Sequence, residues 1–402
     1  MRRHNAAPIP VETLTVSLRW LLLLSAAWLA CFPVSARAAE PLIRHLEPAQ
    51  LLLQPGKHGE RTLELRLPGR VLSLQLSPHR SLLQRVPAAV RQNLSGRGFQ
   101  PFRGQLKEVP GSWVRLHLYR GQWQGAWFDG EMLHLLDPVA AVKGLGTAPR
   151  GAAYVVYRLD DVWLQGMQHD EAEAPSADLY WRELPGLAVT ASKAGLRELS
   201  LTVVTDTEFS ALHGNDRDSV VAGRLNVIDG IYSEQLQVRV ALGHLQHLDA
   251  NGSLSVTDGS TLLSTFRSYM NSGDGSAIPK GGLSHLFSGK DFDGNTAGVA
   301  YVGTLCSSSS GYGVNQVRGT SAVTAVIVAH EMGHNFGARH DGQSGSPCAG
   351  QTGSWLMSPS VSGSQTRFSQ CSLDTILPRI ATAGCLRSVI SSSGFYGDGF
   401  ED

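Results

Sequence analysis

The sequence predicts a mainly β N-terminal domain followed by an α/β (α+β) domain built on a mixed sheet. Up to about residue 159, short apolar runs alternate residue by residue and are broken by glycine and proline. From residue 199 onward, buried-strand stretches alternate instead with helix-period stretches. No cysteine occurs between Glu40 and Leu305, so covalent cross-linking is confined to the C-terminal part.

The first 38 residues read as a signal peptide. Arg2, Arg3 and Arg19 precede the short apolar run WLLLLSAAWLA, and ARAAE supplies an Ala-x-Ala cleavage site. The run is too short to predict a stable membrane span. Cleavage removes Cys31 and leaves Cys306, Cys348, Cys371 and Cys385. Four cysteines in an exported chain imply two disulfides, with three pairings open from the sequence, and an extracellular or periplasmic setting.

Residues 39–166 hold the alternating runs, such as RTLELRLPGRVLSLQLS (61–77), and form the expected β domain, read as a propeptide. Residues 167–197 are acidic, contain proline and lack an apolar period, which reads as a linker with a processing region; Lys193 and Arg197 are its candidate cleavage points. Residues 198–387 form the second domain. LSLTVVTD (199–206), LQVRVALGHLQHL (236–248) and TAGVAYVGTLC (296–306) read as strands. RDSVVAGRLNVIDGIYSEQL (217–236) and GSTLLSTFRSYMNS (259–272) read as helices, and a Gly/Ser loop then leads to a third helix. Residues 388–402 are a Ser/Gly-rich tail with acidic and aromatic residues. The 34 basic and 34 acidic residues balance, which argues against a nucleic-acid partner or an anionic membrane surface.

The third helix carries VIVAHEMGHNFGARHDG (326–342). His330 and His334 are one helical turn apart, so their rings face the same side and can hold zinc at about 2.0–2.1 Å. Glu331 stands beside the first histidine, where it can take a proton from zinc-bound water and pass it to a leaving amine. Gly337 permits the reversal that brings His340 to the same metal. Three histidines leave one zinc position open, as catalysis requires.

HEMGHNFGARHD resembles the extended zinc motif of the metzincins, and Asp341 is similar to the adamalysin/reprolysin branch, here in a secreted bacterial-type form. AGVAYVGTLC resembles that family's edge strand, SWLMSP its Met-turn, and RFSQCSLDTI with GCL its closing segment; the resemblance covers roughly residues 198–387. It implies one catalytic Zn2+ on His330, His334 and His340, with Glu331 as general base. It also implies Met357 as the floor beneath the metal and Asp341 as a structural anchor. Substrate peptide would lie along Gly298, Val299, Ala300 and Tyr301. The implied disulfides are Cys306 with Cys385 and Cys348 with Cys371.

Many relatives silence their precursors with a propeptide cysteine, but residues 40–197 contain none. The resemblance therefore implies blockage by bulk or by an oxygen or nitrogen ligand. Ser200 and Ser388 stand where relatives carry calcium ligands, so calcium is not predicted. The expected function is a monomeric zinc-dependent endopeptidase acting on protein or peptide substrates. The alternative is a zinc-bearing binding module, an adhesin or inhibitor, without turnover.

Overall fold

A computed structural model of the chain describes residues 42–142, 151–163, 166–175, 195–317, 321–361 and 365–389. The expected signal peptide, Lys193 and all of the tail past residue 389 lie outside the described residues.

The N-terminal strands are β1 (Leu42–Ile43), β2 (Glu47–Pro55), β3 (Arg61–Leu67), β4 (Arg70–Pro78), β5 (Gln100–Leu106), β6 (Trp113–Tyr119), β7 (Gln122–Phe128), β8 (Leu133–Pro138), β9 (Tyr154–Arg158) and β10 (Val162–Trp163). Strands β2 to β9 close into an antiparallel barrel, and β1 pairs with β10 beside it. The period of two does the sorting. Along β3, Leu63, Leu65 and Leu67 are buried while Thr62, Glu64 and Arg66 point away from the interior. Phe102, Leu116, Trp127 and Val156 join these leucines in one barrel core. A short helix between β4 and β5, α1 (Ala88–Gly96), has too few apolar positions for the sequence pattern to show it.

The second part contains β11 (Gln168–Ala172), β12 (Arg197–Thr205), α2 (Thr207–His213), α3 (Arg217–Leu236), β13 (Val238–His247), α4 (Gly259–Ser272), β14 (Leu283–Ser288), β15 (Thr296–Tyr301), β16 (Tyr312–Gln316), α5 (Ser321–Asn335), α6 (Gln370–Thr382) and β17 (Arg387–Ser388). The sheet order is β11-β15-β16-β14-β12-β13, with β17 added to β12. It is mixed: β15 runs antiparallel to β16, whereas β12, β13, β14 and β16 pair in parallel.

Three features differ from the sequence reading. The expected Gly/Ser loop contains β16, and β14 was also missed. Every residue of β14 and β16 is buried, so neither alternates, and their serine, histidine, glycine and asparagine residues conceal a strand. The expected linker contains β11, which is held by backbone pairing and therefore needs no apolar period. Arg197, a candidate cleavage point, is built into β12 opposite Val238 and Ser388. Cleavage there would cut a paired strand.

The barrel and the mixed sheet lie in one compact unit, Glu40–Asp402. Helix α3 explains why. It is buried along most of its length, and its residues share one apolar cluster with barrel residues Trp113, Ala126, Phe128 and Leu135 and with α5. Buried polar pairs set its orientation. Arg115 Nε donates to Asp229 Oδ2 at 2.8 Å, and Asn226 Nδ2 donates to the carbonyl of Leu116 at 2.9 Å. The backbone N–H of Val240 donates to the other Asp229 oxygen, so both oxygens of this buried carboxylate are satisfied.

Candidate active site

Helix α5 supplies the centre of the site. Its sequence SAVTAVIVAHEMGHN is buried almost throughout because α3 covers it on one side and β15 and β16 on another. Tyr232 of α3 donates its hydroxyl to the carbonyl of Ala329, one residue before His330. Asn335 locks the far end: its Nδ2 donates to the carbonyls of Tyr301 and Tyr312, while its Oδ1 lies 2.8 Å from His285 Nε2.

The helix then stops at Gly337, which has φ of 104°. That conformation suits glycine, and a Cβ here would also collide with Arg379. The N–H of Gly337 donates to His334 O and that of Ala338 to Gly333 O, which closes the helix end and turns the chain back. His340 thereby returns to the two helical histidines.

The three histidines are oriented alike. His330 Nδ1–H donates to Leu356 O at 2.5 Å, and His334 Nδ1–H donates to Ala338 O at 2.9 Å. His340 Nδ1–H donates to Gln343 Oε1. A carbonyl oxygen can only accept, so each contact assigns the proton to Nδ1 and leaves a lone pair on Nε2. The Nε2 atoms converge, 2.9 Å apart between His330 and His334 and 3.2 Å between His334 and His340. Tetrahedral ligands on zinc would stand roughly 3.3 Å apart, given the usual Zn–N length. Three lone pairs this close repel one another unless a cation lies between them, so the donor set fits zinc. Burial lowers the pKa of all three rings, that of His334 to about 3, and so favours the neutral form a ligand needs.

Glu331 is fully buried next to this centre. Its carboxyl sits against Gly298 of β15, where a Cβ would come within 2.6 Å of Oε1. Only a glycine lets the strand pass this close. Burial, reinforced by Asp170 and Glu171, pushes the Glu331 carboxyl well above the usual range.

The remaining expected residues are placed as follows. Met357 is fully buried beside Gly333 of α5. Its carbonyl accepts from the N–H of Asp341, whose side chain accepts from Ser369 Oγ at 2.7 Å and from Ser372. Asp341 thus ties the His340 segment to the start of α6. Cys306 pairs with Cys385, and Cys348 with Cys371. Gly298, Val299, Ala300 and Tyr301 lie in β15, but this strand is not a free edge: β11 pairs alongside it in parallel, with His169 opposite Gly298 and Ala172 opposite Tyr301.

Two site residues escaped the sequence reading. Gln343 lies three residues past His340, and nothing in its type marks it. His169 sits in a polar stretch far from the motif. Its Nδ1 is 2.8 Å from Glu331 Oε1, and its ring stacks on His330 with centroids 3.6 Å apart.

Over residues 195–369 the sequence matches the reprolysin-type family described as Metallo-peptidase family M12. Among curated proteins, it is 26% identical over 349 residues to disintegrin and metalloproteinase domain-containing protein 11 of Mus musculus, covering 82% of this chain and 44% of that protein. The Homo sapiens counterpart is 27% identical over 350 residues, again covering 82% and 44%. Disintegrin and metalloproteinase domain-containing protein 22 of Mus musculus is 26% identical over 258 residues, covering 60% of this chain and 27% of that protein. The chain thus spans less than half the length of these relatives.

Proposed function

We propose that the chain, whose residues 195–369 match the reprolysin-type family described as Metallo-peptidase family M12, is a secreted zinc-dependent endopeptidase that hydrolyses peptide bonds of protein substrates. The observation that carries this is the pinning of three Nδ1 protons, which turns three neutral Nε2 atoms toward one point beside Glu331. His330, His334 and His340 would hold one zinc ion, whose bound charge supplies Lewis-acid polarisation and stabilises a developing oxyanion.

The chain's own residues do the rest. Glu331 accepts the proton of the attacking water and delivers it to the leaving amine. Its position, buried beside the point where the three Nε2 atoms converge, supports this. The main chain of β15 binds extended substrate by strand pairing, with Gly298 bringing the scissile bond close to Glu331. Met357 and Asp341 hold the His340 segment in place. The leader sequence and the two disulfides support export to an oxidising compartment. No helix among the described residues is long and apolar enough to cross a membrane. The N-terminal region is read as a propeptide.

The test is cleavage of an unfolded protein by the secreted chain, before and after limited proteolysis, beside Glu331→Gln. Chelator-sensitive cleavage that falls about 10²–10⁴-fold in the variant is expected. If both forms bind zinc and neither cleaves, even after proteolysis, the binding-module alternative replaces this reading.

A further inference from the structure

The cleft that should receive substrate already contains a peptide, and it belongs to the same chain. Strand β11 lies between two walls. On one side it pairs with β15 over Thr296–Tyr301. On the other, the N–H of His169 donates to Pro359 O at 2.8 Å, and the N–H of Val361 donates to Met167 O at 2.9 Å. Residues 359–361 follow directly on Met357, so β11 threads the space between the edge strand and the turn beneath the histidines.

Its side chains meet the reacting groups in turn. His169 is buried, with Nδ1 on Glu331 and its ring flat against His330. Its ligand atom lies within 4.8 Å of those of His330 and Glu331. His169 Nε2 and Glu331 Oε2 are both buried without a hydrogen-bond partner. Two residues on, Glu171 accepts from Arg339 at 2.7 Å, and its other oxygen is 3.6 Å from His334 Nδ1. Glu173 pairs with the same Arg339, adjacent to His340.

Resting on the peptidase reading, we propose that residues 168–172 are a built-in inhibitor, a strand bound in place of substrate, with His169 closing the site at Glu331. The logic is exclusion. The outer N–H and C=O groups of β15 can pair with one strand at a time, so β11 and an extended substrate compete for them. His169 engages Glu331 Oε1, and its ring, flat against His330, occupies the space in front of the carboxylate and leaves Oε2 buried without a partner. An imidazole thus closes the site although residues 40–197 hold no cysteine. Residues 176–194 connect β11 to the peptidase domain on one side and the barrel precedes it on the other, so β11 competes with substrate intramolecularly, at a high effective concentration.

The experiment uses the full chain, His169→Ala, and Asp170→Pro, which removes an amide from a paired strand position. Cleavage of an unfolded protein is measured together with hydrogen exchange of the β15 amides. A synthetic peptide of residues 166–175 is added to each variant, along with a version carrying alanine in place of His169. The expected results are a rise in activity of about ten- to hundredfold in both variants and faster exchange on β15 in Asp170→Pro. Added peptide should restore both inhibition and protection, and the alanine version should be about tenfold weaker or worse. A full chain as active as its variants overturns the proposal, and equal potency of the two peptides overturns the role of His169. If no form cleaves anything, the peptidase reading fails separately. Exchange then still decides: protection of β15 lost in Asp170→Pro and regained with peptide supports the strand, and its failure to return overturns it.

Discussion

The N-terminal region meets the peptidase domain in two places, and they are built from different materials. Where the barrel meets α3, the contact is a shared side-chain core. Trp113, Phe128 and Leu135 cluster with Val221, Leu225 and Ile228, and Arg115 reaches Asp229 within it. Where β11 meets β15, the contact is main-chain pairing, and only His169 of the strand is buried. Separating the first would expose apolar surface and leave charges unpaired in a dry interior. Peeling off the second exposes backbone groups that water can satisfy. The first contact is therefore the costlier to separate, whereas the second is suited to opening.

The largest expected effect breaks the costlier contact. Arg115→Ala leaves Asp229 buried without its cation and should lower stability by about 3–5 kcal/mol, read as a fall in the urea midpoint. A loss below about 1 kcal/mol would show that barrel and peptidase domain are not coupled through this pair.

Acid should act on the same face by a slightly smaller amount. Burial lowers His117, which stacks near Phe99 and faces Gly223 of α3, from 6.5 to about 4. The unfolded chain then binds the proton more readily than the folded one. Stability from this group is complete above pH 6.5 and is lost as the pH falls from 6.5 to 4, by about 3 kcal/mol. Asp137 works in the opposite direction, because burial raises its carboxyl to about 6. Comparing wild type with His117→Gln across pH 4–7 isolates the histidine. Parallel stability curves would remove it as an acid-sensitive element.

The smallest effect concerns the removable contact. Arg339→Gln loses the pairings with Glu171 and Glu173, but Arg339 and Glu173 are solvent-accessible enough for screening to limit their value to about 1 kcal/mol. Activity of the latent chain should rise by at most about fivefold. An increase as large as that of His169→Ala would shift the weight of inhibition from the imidazole to this ion pair.

Much of the site was legible because its chemistry is local. His330, Glu331 and His334 are placed by helical spacing alone, and Gly337 marks where the helix must end. Strand β3 was legible because its outer face is more exposed than its inner one, which writes a period of two into residues 61–67. Strands β14 and β16 were not legible, since burial on both faces erases that period. His169 was beyond reach for a different reason: it lies 162 residues from Glu331 in sequence, and its own neighbours form an acidic stretch.

The sequence by itself pointed to the candidate metal-binding histidines, the neighbouring glutamate and the change from a β-rich to a mixed region, because each rests on short-range spacing or on composition. Only the tertiary structure decided which backbone edge meets which strand. Main-chain hydrogen bonds carry no side-chain signature, so a strand bound in the cleft and a linker in solvent are written in the same polar residues. The difference between an open site and a closed one lay in that pairing.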